Sequence, residues 1–248
     1  MRIFLSDEAI DHGCERHEAT CWRDARSIVD FVYPDTAFLA GLDHDSVQAV
    51  IAAAQVRRLG PNEGLITEGR QANHLFLVKN GNARFYRVTT GGEDITLLWL
   101  GPGDIVGLAS LLAEQPTAYL ANAETMSPCE LLVWDRALIR SFAARHPRIM
   151  GNGLDLSSKY LRNALQRHAD LATTSPEARV ARSLQHLADK IGKVRSSGVE
   201  IEVKNEELSS LSDVSRFTTS RVLAGWVRSG KVSKQRGKVI LHAPDALI

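Results

Sequence analysis

The chain has 248 residues, 44% of them apolar, with 30 Lys and Arg against 29 Asp and Glu. That is room for one large or two modest domains with a proper core, and the net charge of +1 carries no information by itself. The three cysteines, Cys14, Cys21 and Cys129, exclude a disulfide framework and suggest a reducing cytosol. No apolar run approaches membrane-spanning length, and the opening stretch Met1 to Glu8 meets acids at once without an apolar leader core. The expectation is a soluble, cytoplasmic protein with no membrane partner.

Residues 1–34 read as an N-terminal extension in which His12, Cys14, His17, Cys21 and Trp22 crowd together. Asp43-His-Asp45 then looks like a helix start ahead of the apolar run Val47 to Ala54. From Val56 to Asp135 turn residues recur at Gly60-Pro-Asn-Glu-Gly64, Gly69, Asn80-Gly81, Gly91-Gly92 and Gly101-Pro-Gly-Asp104. Between them lie strand-like runs, Leu75–Val78, Ala83–Val88, Ile95–Leu100 and Cys129–Trp134. Short strands at such spacing predict an antiparallel β-roll over residues 35–145. Asn80-Gly81 carries the two-residue hairpin signature, in which both positions need positive φ.

A helical pattern begins near Arg136, and a long helix is predicted from Ile149 to about Leu171. Met150, Leu154, Leu161 and Leu165 keep a helical phase, with Leu156 and Tyr160 alongside. Such a stripe must be buried, either on a second copy of the chain or on its own β-domain. The first alternative makes residues 146–173 a dimerisation helix.

Ser175 as cap and Pro176 in the first turn start the next helix, which runs through Val180, Leu184 and Leu187 towards Ile191. Ser196-Ser-Gly198 is a turn and Val199–Val203 alternates as a strand. Asn205 to Gly230 reads as two short helices joined by a tight turn, and Lys231 to Leu241 as a basic hairpin. Residues 174–248 therefore form a winged helix-turn-helix domain, a device for docking into the major groove of DNA. The fold class is α+β. From Val214 to Ala243 there are seven Lys or Arg and no Asp or Glu, the footprint of a nucleic-acid contact.

In the second of these helices Thr219, Val222, Leu223 and Trp226 recur at core spacing, which leaves Arg216, Phe217, Ser220 and Arg221 outward as base readers. Arg matches guanine O6 and N7 with its fork, while Phe217 suits a thymine methyl. Ser215, Thr218, Lys231, Lys234, Arg236 and Lys238 are the candidates for DNA phosphates.

This arrangement resembles the Crp/Fnr superfamily of bacterial transcription regulators. The resemblance rests on Gly64-Leu-Ile-Thr-Glu-Gly69, Leu75-Phe-Leu-Val-Lys-Asn-Gly81 and Gly101-Pro-Gly-Asp-Ile-Val-Gly107 in the β-region. In the last domain it rests on Glu207-Leu208, Val214-Ser-Arg216 and Arg221-Val-Leu223. It implies a cyclic-nucleotide-binding-type roll, a long dimerisation helix, a homodimer on a palindromic operator and a contact with RNA polymerase. Two departures follow from the same resemblance. Cyclic-nucleotide binders carry Gly-Glu and Arg-Ser or Arg-Thr in the phosphate cassette; here those places hold Gly107-Leu108 and fall near Thr117-Ala118. The positions that meet the purine fall near Ala164 and Leu165. With no Lys or Arg from Gly101 to Asp135, the cassette lacks a cation for a buried phosphate, so an effector other than cAMP or cGMP is expected. The second departure is Phe217, where many members have Glu after the Ser-Arg pair.

The sensor has competing readings. Cys14, Cys21 and Cys129 resemble an incomplete iron–sulfur ligand set, with His12 or His17 as a fourth ligand, or a haem, zinc or thiol-based redox site. The simpler reading makes Cys129 a core residue. A cupin-like metalloenzyme would need several His in the β-region, which from Val56 to Asp135 holds only His74, and no nucleophile elbow or phosphate loop is present, so no catalysis is expected. A pure ligand-binding module would not need the basic reading helix.

Overall fold

The computed structural model describes residues 36–242 and Leu247. Cys14, Cys21, His12 and His17 lie outside the described residues. Helix α1 (His44–Ala52) starts on Asp43, whose carboxylate accepts the Ser46 N–H at 2.8 Å. The roll follows with strands β1 (Gln55–Leu59), β2 (Gly64–Ile66), β3 (His74–Asn80), β4 (Ala83–Val88), β5 (Asp94–Leu100) and β6 (Ile105–Val106). The short helix α2 (Ala109–Leu112), then β7 (Asn122–Thr125) and β8 (Cys129–Asp135), complete it. Two four-stranded antiparallel sheets face each other, in the orders β1-β8-β3-β6 and β2-β7-β4-β5.

Strand β3 shows why the local sequence is a continuous apolar run. Phe76 and Val78 point between the sheets, beside Leu131, Val133 and Val106. Leu75 and Leu77 point the other way, onto Phe38, Val50, Trp134 and Ile139. Both faces are dry, so alternation of polar and apolar residues is lost. The second layer is helical: α1, α3 (Arg136–Arg145) and the start of α4 (Pro147–Thr173).

The turn at Asn80-Gly81 is not a hairpin. Strands β3 and β4 belong to different sheets, and the chain crosses between them here. Only Gly81 has positive φ, +87°, and a Cβ there would lie 2.3 Å from the Pro128 carbonyl oxygen and 2.7 Å from Cys129 Sγ. The turn signal was read for pairing when its requirement is the conformation and close approach of one glycine.

Helix α4 packs its first turns on the roll. Asn152 donates to the carbonyls of Phe38 and Ala40, and Gly153 lets Leu111 and Leu112 of α2 come close. Beyond that point Leu154, Leu161, Leu165 and Leu171 stand 48–61% exposed. Met150 and Leu156 pack against the roll, while these four leucines of the stripe are not buried on it.

The last domain holds α5 (Pro176–Ile191), β9 (Lys193–Arg195), β10 (Gly198–Glu202), α6 (Asn205–Ser212), α7 (Arg216–Arg228), β11 (Val232–Gln235) and β12 (Lys238–Leu241). Its sheet order is β11-β12-β10-β9. Val180, Leu184, Leu187, Leu208, Leu223 and Trp226 form its core. Trp99 of β5, 2% exposed, belongs to that same core, so the roll contributes a side chain to the interior of the winged domain.

Candidate nucleic-acid interface and sensor cavity

The reading unit is built from α6, a tight turn and α7. Glu207 accepts the Lys204 N–H at 2.7 Å and closes the start of α6. Asp213, at φ +52°, ends that helix in the left-handed region, which a short polar side chain tolerates better than most. Ser215 caps α7 by accepting the Thr218 N–H at 3.2 Å. Thr219, Leu223 and Trp226 are buried, and Val222 packs beside them. Trp226 Nε1 donates to Glu177 at 2.9 Å, which fixes α7 against the start of α5.

The opposite face of α7 is open. Arg216, Phe217, Ser220 and Arg221 are all exposed, Phe217 to 77%. Among the described residues Arg221, Lys234 and Arg236 carry no ion-pair partner. Arg216 is paired with Glu206, and Ser220 Oγ accepts from Asn205 at 2.8 Å. Lys231 is half-buried at the foot of the hairpin, and Thr218 is half-buried with its hydroxyl 3.0 Å from Ser215 Oγ. Lys238 pairs with Glu200 at 3.1 Å and Glu202 at 3.7 Å.

A cavity of about 890 Å³ lies between the roll, α4 and the winged domain. Ile66, Phe85, Leu98, Leu100, Val106 and Leu108 form its apolar wall. Leu120 and Leu161, 79% and 61% exposed, stand at its open side. Of the sequence-based pocket residues, Leu108 and Ala164 line it; Thr117, Ala118 and Leu165 do not. The Thr117 carbonyl accepts the Ala72 N–H and Ala118 bridges Gln71, which hold that segment at the rim, while Leu165 lies on the exposed stripe.

Sequence reasoning missed the polar end of the cavity. Arg167, Arg179, Arg182 and His186 come to it from α4 and α5. Each arginine is already occupied. Arg167 donates to the carbonyls of Thr96 and Leu97 at 3.2 and 2.5 Å and to Asp213 at 2.9 Å. Arg179 donates to the carbonyls of Thr174, Ser212 and Asp213 at 3.0–3.2 Å. Arg182 pairs with Asp170. Tyr160 donates to the Ile105 carbonyl at 3.3 Å; burial, and then the Asp104 charge, keep its phenol protonated. Thr96 N–H donates to Ser210 at 2.9 Å and Lys190 holds Asp104 at 2.6 Å, so β5 and its flanking turn are tied to α6 and α5.

Cys129 is a core residue. It is 4% exposed, its thiol donates to the Asn82 carbonyl at 3.2 Å, and burial pushes its pKa up, away from the thiolate that a metal or an oxidant needs. Among the described residues no group of three His, Cys, Asp or Glu side chains converges as a metal site, and no helix is long and apolar enough to cross a membrane.

The family model of the cyclic nucleotide-binding domain matches residues 56–146, and that of the Crp-like helix-turn-helix domain residues 178–248. A cyclic AMP receptor protein of Thermus thermophilus is 30% identical over 199 residues, 80% of this chain and 89% of its own length. An anaerobic regulatory protein of Bacillus subtilis is 25% identical over 209 residues, 83% of this chain and 87% of its own. A solved CRP-family transcriptional regulator from Thermus thermophilus, 26% identical, superposes with a TM-score of 0.65 over 77% of this chain and 94% of that one. Roll, long helix and winged helix-turn-helix, in this order and with these matches, place the chain in the Crp/Fnr superfamily of transcription regulators.

Proposed function

We propose that the protein is a homodimeric, sequence-specific regulator of a palindromic operator, controlled by an apolar effector. The observation that carries the reading is the open face of α7, where Arg216, Phe217, Ser220 and Arg221 stand exposed over a buried apolar face. Arg216 and Arg221 read bases, with Phe217 against a thymine methyl. Ser215, Thr218, Lys231, Lys234 and Arg236 hold phosphates, which supply affinity without sequence. The exposed stripe Leu154, Leu161 and Leu165 supports a second copy on α4, which sets two reading helices about one DNA turn, roughly 34 Å, apart. RNA polymerase is the expected further partner of the DNA-bound dimer.

The relatives bear names as different as cyclic AMP receptor and anaerobic regulator, so the resemblance does not name the signal. The cavity favours an apolar molecule. A phosphate there would compete with the carbonyls and carboxylates that already hold Arg167, Arg179 and Arg182, which raises the cost of its burial. A ligand in the cavity would touch β5, α4 and α5 together, and would shift the winged domain as far as it prefers one arrangement.

The test is Arg216→Ala with Arg221→Ala in the full chain. At about 1–3 kcal/mol for each base pair read, with two readers in each of two half-sites, the double variant loses at least roughly 10³-fold in operator affinity while binding to unrelated DNA changes less. Intact operator affinity would refute the reading.

A further inference from the structure

The start of α6 holds two of the four readers on α7. Asn205 donates to Ser220 Oγ at 2.8 Å, and the Glu206 carboxylate pairs with the Arg216 guanidinium. The two acids of this turn have different roles. Glu207 is largely buried and closes the helix by accepting the Lys204 N–H. The side chain of Glu206 is 63% exposed and that of Arg216 70%, so their pairing does little for folding.

Position makes Glu206 unusual. The reading helix and wing from Val214 to His242 contain no Asp or Glu at all. A carboxylate that leans over this surface faces a polyanion and opposes docking. Left alone, Arg216 is a long side chain that reaches a phosphate as readily as a base edge. Its guanidinium carries five donors, so one edge can be held by Glu206 while the remaining N–H groups stay available to guanine O6 and N7.

We propose that Glu206 is a specificity-determining residue of the DNA interface: by holding Arg216 over the base edges it turns a general cation into a guanine reader. The inference rests on the reading of Arg216 given above. It also accounts for Phe217, because the carboxylate partner of the first reading arginine comes from the neighbouring helix and the position after Arg216 is left for an apolar contact.

The experiment selects bound sequences from a pool of randomised duplexes and measures salt-dependent affinity with the full-length wild type, Glu206→Gln and Arg216→Ala. Glu206→Gln keeps the size and removes the charge. The expected result is a three- to tenfold loss of base preference at the one half-site position that Arg216→Ala also erases. Affinity for unrelated DNA rises in Glu206→Gln, and its melting temperature stays at the wild-type value. If Glu206→Gln instead tightens binding to every sequence equally and keeps the wild-type preference, Glu206 is only a like-charged surface group and the inference fails. If Arg216→Ala keeps the wild-type preference, or the wild type selects no motif, the underlying reading of Arg216 fails instead.

Discussion

The reading surface and the sensor cavity are both rich in arginine, and they use it in opposite ways. On α7 and the wing, Arg221 and Arg236 are exposed and free of ion pairs among the described residues, and Arg216 has a single acidic partner. In the cavity, Arg167 and Arg179 each donate to three protein oxygens, on Thr96, Leu97, Asp213, Thr174 and Ser212, and Arg182 pairs with Asp170. A cation binds an external anion only with donors that the fold has left over. On the proposed reading, one region meets phosphate and the other holds itself together around an apolar space. The two are joined by Trp99, which starts in the sensor sheet and ends in the core of the reading domain.

Trp99 offers the strongest way to break this comparison. If roll and winged domain were independent, Trp99→Ala would disturb the roll alone. Because the side chain is 2% exposed inside the winged-domain core, the substitution is expected to cost about 3–5 kcal/mol in unfolding free energy. Denaturant melts followed by a label on α7 and by a label on the roll should both shift. Trp99→Phe should cost much less, since it keeps most of the packing and removes a buried Nε1 that has no hydrogen-bond partner among the described residues. A shift confined to the roll label would separate the two domains.

The cavity itself gives the next effect. Nile red, a neutral apolar dye, should brighten on binding and raise the melting temperature; at a hundred times its Kd the stabilisation is about 2.7 kcal/mol. Cyclic AMP at the same excess should leave the melting temperature unchanged, and Leu108→Glu should abolish the dye signal. A melting shift with cAMP and none with dye would reverse the contrast between the two sites.

The buried and exposed faces of α7 were legible in the sequence because they are local. One helix writes its buried face as Thr219, Leu223 and Trp226, and the remaining positions are outward by geometry. Strands β3, β4, β5 and β8 were legible for the same reason, each a run of six or seven residues rich in aliphatic or aromatic side chains and followed or preceded by a turn signal. Strand β1 was not, because Gln55, Arg57 and Arg58 dilute its pattern, and β2, β6 and β7 are too short to carry a period. The polar end of the cavity was illegible. Arg167 and Arg179 lie more than forty residues from the cassette that the motif picks out, and only the docking of α5 and α6 on β5 brings them there. No local period encodes that contact, and the crossing at Gly81 was misread because a turn signal does not say which sheet comes next.

The smallest effect concerns His186, which looks into the same junction from α5. Its Nε2 is buried with no hydrogen-bond partner among the described residues. Burial, and then the charge of Lys190, pull its pKa below 6.5, with Arg167 acting the same way and Asp104 and Asp189 acting against them. The folded protein therefore holds His186 neutral at a pH where the unfolded chain already takes up a proton. The unfolded state binds more protons on the acid side, so stability is full above about pH 6.5 and declines as the pH falls from there to the depressed folded value. The carboxylates held down by their partners, among them Glu130, Asp170 and Glu202, lie below the ordinary carboxylate range and act in a more acid window. Melting temperatures between pH 7.5 and 5.5 should fall for the wild type and stay flatter for His186→Gln, whose amide carries no titrating charge. Parallel profiles would assign the loss to another group and leave the junction insensitive to pH in this range. A flatter profile, together with the Trp99 result, would make the junction of β5 and α5 the place where the apolar sensor and the charged reader exchange free energy.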